Sequence, residues 1–257
     1  MANTNPLKEA WAENRTAFGL WMAIPGPFGA ELISGAGVDY VCVDQQHGVI
    51  DYSSMVPMFQ AIGASGAAPI TRVVQNDPGT IMKSLDAGAL GVIVPLVNSA
   101  EDAARAVSAC RYSPHGVRSF GPIRAAAVIG SRDPEDLAGG VLRIVMVETR
   151  EALERVDEIA ATPGLDGIYI GPSDLALSLG LPPTLDVTED VHVEAVRQIR
   201  EACHRHGIAA GIHSASGEPA RGHAEAGFDM VTVASDAALL INAARREMIV
   251  ARGGRGP

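Results

Sequence analysis

The stretch Gly167-Ile168-Tyr169-Ile170-Gly171-Pro172-Ser173-Asp174-Leu175 runs from a short apolar segment through a Gly-Pro turn to an acid. Its first four residues suit a buried strand. Pro172 suits the first position of a helix, where the N–H that proline lacks would have no partner anyway. Strand, turn and helix make one βα unit, and the unit recurs. Apolar, β-branched runs occupy residues 18–22, 38–43, 70–74, 91–94, 143–147, 167–170, 208–212 and 230–234. Ala-rich segments of helical spacing separate them, several opened by caps: Asp77 before Pro78, Ser99 with Asp102, and Thr149 with Glu151. Near-continuous apolar strands that alternate with helices read as parallel and covered on both faces. Eight such units close most naturally into an α/β fold of the (β/α)8 TIM-barrel type. An open doubly wound sheet is the other arrangement, but its first turn would need G-x-G-x-x-G, and this chain has Ala23-Ile24-Pro25-Gly26-Pro27.

A length of 257 residues fits one such barrel, expected to span residues 1–257. An amphipathic C-terminal helix at about 236–250 either covers the barrel or is exchanged between subunits. The net charge of −10 speaks against nucleic acid or an anionic membrane as partner and for a small-molecule ligand. Cys42, Cys110 and Cys203 lie in apolar or helical segments without metal-type spacing, as reduced buried thiols do. Residues 1–19 are broken by Lys8, Glu9 and Glu13 and lack the apolar core of a signal peptide, so the expected location is cytoplasmic. Trp11 and Trp21 read as packing residues. Residues 112–140 form an interval too long for a simple turn; with Pro114, Arg118, Pro122 and Arg124 it reads as an excursion over the site.

In a barrel of this kind the site lies at the carboxyl ends of the strands, so the polar residues that end each run are the candidates. They are Asp44 and His47 after the second run, Arg72 in the third, Glu148 after the fifth, Gly171 to Asp174 after the sixth, and His213 after the seventh. Glu148 and Asp174 follow adjacent strands. Two carboxylates without a His or Cys cluster suit a hard dication that keeps several waters, Mg²⁺ or Mn²⁺ with Co²⁺ as a substitute; the competing reading is a pair of hydrogen-bonded acids that steady the loops. Gly171-Pro172-Ser173 opens a helix, and the free N–H groups of that helix start offer a seat for a substrate carboxylate. Arg72, in an otherwise apolar strand, needs an anion to answer its charge. Asp44, three residues before His47, is placed to orient the imidazole as a base. The lysines, Lys8 and Lys83, fall in the N-terminal segment and in a helix middle, so a Schiff base is not expected, and neither is an organic cofactor.

These residues resemble the HpcH/HpaI family of class II pyruvate aldolases, from about Phe18 to Met248. The matching motifs are Val43-Asp44-x-x-His47, Arg72-Val73-x-x-x-Asp77, Leu85-Asp86-Ala87-Gly88-Ala89, Tyr112-x-Pro114-x-Gly116-x-Arg118, Glu148-Thr149-Arg150-Glu151-Ala152 and the stretch quoted first. The resemblance implies a barrel of the phosphoenolpyruvate/pyruvate-domain type and a metal held by Glu148 and Asp174. It implies a pyruvate carboxylate on the amides of Ser173 and Asp174, and Arg72 facing the enolate. His47 and Asp44 would manage the proton through a water on the metal, and Asp86 would support the site of a neighbouring subunit in a homohexamer, a trimer of dimers. The implied reaction joins a keto acid, pyruvate or hydroxypyruvate, to an aldehyde. Gln46 and Met146 stand where better-known members have Glu and Gln, which bears on substrate choice. His213 replaces a usually apolar residue and either faces the aldehyde or only hydrogen-bonds the neighbouring loop. The rival readings are a citryl- or malyl-CoA type lyase and a non-catalytic keto-acid-binding homologue.

Overall fold

The computed structural model describes residues 5–254, so the ends of the expected domain, residues 1–4 and 255–257, lie outside the described residues. Each of the eight apolar runs forms a strand: β1 (Ala17–Met22), β2 (Tyr40–Asp44), β3 (Ala68–Arg72), β4 (Gly91–Val94), β5 (Leu142–Val147), β6 (Gly167–Ile170), β7 (Ala209–His213) and β8 (Met230–Ser235). They pair in chain order, all parallel, and β8 closes onto β1. A helix follows each strand, as the βα repeat requires.

Side chains alternate along a strand, so each strand contributes one column to the barrel interior and one to the helix layer. In β2, Tyr40 and Cys42 belong to the inner cluster while Val41 and Val43 pack outward against the helices. The inward column of β3 is Ala68, Ile70 and then Arg72. That of β5 is Leu142, Ile144 and Met146. Large residues need small ones opposite: a Cβ on Gly19 would run into the Tyr40 ring, and one on Gly211 would sit 2.7 Å from Cδ2 of Tyr169. The helix Pro6–Ala12 closes the barrel's lower end, with Leu7 and Ala10 fully buried in the inner cluster. Asn5 fixes this plug by donating to the carbonyls of Leu90 (2.7 Å) and Gly140 (3.0 Å). Trp11 packs there as expected and donates its indole N–H to Asp229 O at 3.0 Å.

Residues 112–140 do not pass over the site. They contain two short helices, Ala125–Ile129 and Pro134–Gly139, and none of them lines the cavity described below. Topology gives the reason. The segment leaves the end of a helix and enters the start of β5, and helix-to-strand connections lie at the amino-terminal face of a barrel, away from the catalytic mouth. Among the described residues no helix is long and apolar enough to cross a membrane.

Candidate active site

The inward columns end at the mouth in polar groups. Asp44 of β2 and Arg72 of β3 are register partners on neighbouring strands. Arg72 binds Asp44 with both prongs, Nε to Oδ1 at 2.9 Å and Nη2 to Oδ2 at 2.6 Å, and both residues are buried. Burial by itself would raise the Asp44 pKa; the hydrogen bonds and charge of Arg72 outweigh it and hold the carboxyl below its ordinary value. Asp44 Oδ1 also accepts the backbone N–H of Gln46 (3.0 Å) and of His47 (3.3 Å). The sequence reading had Asp44 orienting the His47 imidazole. Here that imidazole has no hydrogen-bond partner among the described residues, because a guanidinium one strand away fits the carboxylate fork better than a ring three residues on.

Glu148 follows β5 and is 2% exposed. Its Oε1 accepts the N–H of Leu96 at 2.8 Å. Leu96 holds a left-handed φ of 54°, unusual for a residue with a Cβ, and that conformation directs the N–H at the carboxylate. Glu148 Oε2 backs onto Gly171, where an added Cβ would come within 2.6 Å of it. Burial pushes the Glu148 pKa up; the Leu96 N–H opposes, the charge of Asp174 adds to the rise, Arg72 opposes, and the net direction is upward. Asp174 stands in the first turn of the helix Pro172–Ser178 and is exposed to the mouth. One buried and one open carboxylate, with the charge of Asp174 raising the cost of ionising Glu148, make a place short of positive charge. No group of three His, Cys, Asp or Glu stands together as a metal cage among the described residues. The pair therefore fits an oxygen-seeking dication that keeps most of its waters, and does not fit a cage-bound one.

A cavity of about 180 Å³ opens between these groups, small beside sites for drug-sized ligands. His47, Arg72, the 171–174 turn and His213 line it; Asp44 and Glu148 support its wall from behind. Asp86 does not reach it. That residue ends the helix Pro78–Asp86 and pairs instead with Arg118, Nη2 to Oδ1 at 2.7 Å. Both lysines lie elsewhere: Lys8 binds Gly139 O, and Lys83 sits 4.5 Å above the Tyr52 ring. The sequence reading missed Trp21, Tyr169 and Leu185 as lining residues, while Met146, singled out there for its bearing on substrate choice, does line the cavity. Trp21 is the last inward residue of β1, with Arg72 5.1 Å over its ring and His213 edge-on at 5.2 Å. The period-two count along β1 carried that signal. Burial first, and then the charge of Arg72, push the His213 pKa down to about 4, so its ring is neutral.

A parallel eight-stranded barrel whose strand ends gather a carboxylate pair, an Arg-carboxylate fork and a histidine around a small cavity defines an enzyme of small carbonyl or carboxylate chemistry. The chain belongs to the HpcH/HpaI aldolase/citrate lyase family, whose model matches residues 17–243; it is an aldolase of that class. It is 44% identical over 248 residues to a hydroxypyruvate/pyruvate aldolase of Rhizorhabdus wittichii, covering 96% of this chain and 99% of the relative. To a 4-hydroxy-2-oxo-heptane-1,7-dioate aldolase of Shigella sonnei it is 35% identical, covering 97% and 95%. A crystal structure of an HpcH/HpaI aldolase/citrate lyase family protein from Burkholderia cenocepacia superimposes with a TM-score of 0.88 at 32% identity, over 97% of this chain and all of that one.

Proposed function

We propose that this chain is a class II aldolase that reversibly adds a pyruvate-type donor, pyruvate or hydroxypyruvate, to an aldehyde and yields 4-hydroxy-2-oxo acids. The observation that carries the reading is the Glu148–Asp174 pair beside Arg72 on a cavity that neither lysine reaches. Such a site stabilises a carbanion by positive charge and not through a Schiff base.

Glu148 and Asp174 would hold the dication, Mg²⁺ or Mn²⁺, with Co²⁺ as a substitute. When bound, it supplies the charge that stabilises an enolate as it forms. Arg72, whose Nε and Nη2 are committed to Asp44, keeps Nη1 for the keto oxygen. The N–H groups of Ser173 and Asp174, in the first turn and without helical partners, receive the substrate carboxylate, and Gly171 and Pro172 shape the turn that presents them. His47, whose imidazole has no hydrogen-bond partner among the described residues, takes and returns the proton of the 4-hydroxyl. Asp44 serves by fixing Arg72 and, through the His47 N–H, the loop that carries the base.

The C-terminal helix Asp236–Ala251 supports an oligomer. Leu240 is 64% exposed and Val250 68%, with Leu239, Ile241, Met248 and Ile249 also open. We read the helix as exchanged between subunits of a hexamer, with Asp86 reaching a neighbour's site. A CoA-lyase reading would need basic residues at the mouth for a bulky thioester, and Arg118 and Arg124 do not supply them, since Arg118 is buried against Asp86 and Arg124 donates to Ala87 O.

Purified protein with Mg²⁺, Mn²⁺ or Co²⁺ is expected to condense pyruvate or hydroxypyruvate with a short aldehyde, to decarboxylate oxaloacetate slowly, and to lose both activities to a chelator. Turnover that survives chelation, together with borohydride labelling of Lys83, refutes the proposal. Metal and keto-acid binding without turnover identifies the non-catalytic homologue instead.

A further inference from the structure

The cavity contains one group whose hydrogen-bonding sense the surrounding network decides. His213 ends β7 and lines the cavity, with Nδ1 3.4 Å from the Tyr169 hydroxyl. Tyr169 is buried, and its hydroxyl donates to Thr232 Oγ1 at 2.6 Å, which in turn pairs with the Tyr40 hydroxyl at 2.8 Å. Burial holds the Tyr169 pKa well above its ordinary value, so the phenol keeps its proton. A phenol has a single proton to donate, and this one is committed to Thr232. Toward His213 the Tyr169 oxygen can only accept, and Nδ1 must be the donor. A neutral imidazole with its proton on Nδ1 has a bare lone pair on Nε2. That nitrogen has no partner among the described residues and is not among the atoms sealed from solvent.

We propose that His213 Nε2 is a specificity-determining acceptor for a hydroxyl group on the substrate. Its surroundings sharpen the choice. The Trp21 and Tyr169 rings, Met146 and Leu185 line the same cavity and offer no donor on their faces, so a ligand that displaces water from the cavity is placed to satisfy the lone pair. A methyl group there leaves a desolvated acceptor unpaired, and a carboxylate repels it; a hydroxyl satisfies it. Two substrates can bring that hydroxyl: hydroxypyruvate as donor, or a 2-hydroxy aldehyde as acceptor.

The kinetic arm of the test rests on the aldolase reading, and the spectroscopic arm does not. Nitrogen NMR of the full-length, histidine-labelled protein with Mg²⁺ present, assigned by comparison with His213→Phe or His213→Gln, is expected to show the His213 proton on Nδ1 at neutral pH; the opposite tautomer overturns the proposal. For kinetics, kcat/KM is compared between hydroxypyruvate and 2-oxobutanoate with one aldehyde, and between glycolaldehyde and propanal with pyruvate. The hydroxyl-to-methyl ratio is expected to fall about tenfold in His213→Phe in one of the two comparisons, which names the source of the hydroxyl. His213→Gln, which can offer an amide oxygen near the Nε2 position, is expected to recover most of the ratio. An unchanged ratio in both comparisons for an active His213→Phe sinks the inference and leaves the aldolase reading standing. A parent enzyme with no aldol turnover sinks the aldolase reading, and the tautomer still decides the acceptor.

Discussion

Asp44 and Arg72 illustrate what a single strand-end residue is for. Each is the last inward residue of its strand, and register sets them side by side, so the guanidinium is neutralised before any ligand arrives. Asp44→Asn leaves Arg72 charged in a buried place with a weaker acceptor. The expected cost is about 3 kcal/mol in chemical denaturation, with a large loss of kcat. The sign of the pH effect follows from the lowered Asp44 pKa: its contribution to stability is present above the ordinary value of 3.8 and is lost as pH falls through the folded value, a slope that the Asn variant lacks. A variant as stable as the parent at neutral pH refutes the fork. Glu148 has the opposite sign. Its folded pKa is raised above 4.5, so stability present below that value is lost as pH rises through the folded one. Glu148→Gln, which keeps an oxygen for Leu96 N–H, is expected to melt roughly 2–4 °C higher than the parent in a chelator, the shift about 1 kcal/mol gives at this length. It is also expected to gain no further stability from Mg²⁺, and a lower melting point in the chelator counts against the charge-deficient pair. Most of these residues were legible from strand ends alone. The Arg72–Asp44 bond was not, because register between strands is invisible in a single chain of letters, and neither was the left-handed Leu96 that steers Glu148.

Elements were legible to the extent that hydrophobic period decides them. All eight strands fall within a few residues of the apolar runs, and the caps Asp77, Ser99 and Thr149 each accept an N–H at the start of their helix. The 112–140 segment was misplaced because its prolines and arginines were weighed before its position in the βα order. Arg118, read as part of an excursion over the site, is almost fully buried, bound to Asp86 and stacked 4.7 Å over Tyr112. Interior packing between elements was equally unreadable, since it depends on which glycine faces which aromatic ring. Gly19 lies against the fully buried Tyr40, whose hydroxyl is tied to Thr232. With the ring unable to retreat, Gly19→Ala is expected to destabilise the barrel by about 1–3 kcal/mol, read as a drop in melting temperature. An unchanged melting temperature means that the ring has room to shift.

At the scale of the whole molecule, the open apolar face of the C-terminal helix Asp236–Ala251 is the feature that needs an explanation. A sixteen-residue helix with Leu240, Ile241 and Val250 open to water is costly unless another surface covers it, and Asp86, paired with Arg118 but with a quarter of its side chain exposed, lies outside the cavity of its own barrel. Both features have one explanation if neighbouring subunits complete each other, and mixing separates this from a self-sufficient barrel. Asp86→Asn and Glu148→Gln are each expected to be inactive alone. Dissociated, mixed and reassembled, they give some interfaces in which the intact Glu148 of one subunit meets the intact Asp86 of its neighbour, and aldol activity returns at those sites. If Asp86 acts within its own chain, every subunit in the mixture still lacks one group and no activity returns. Leu240→Glu provides the control on assembly: it places a charge on the exposed apolar face, is expected to shift the particle to a smaller mass in light scattering, and should prevent the rescue when carried by both partners.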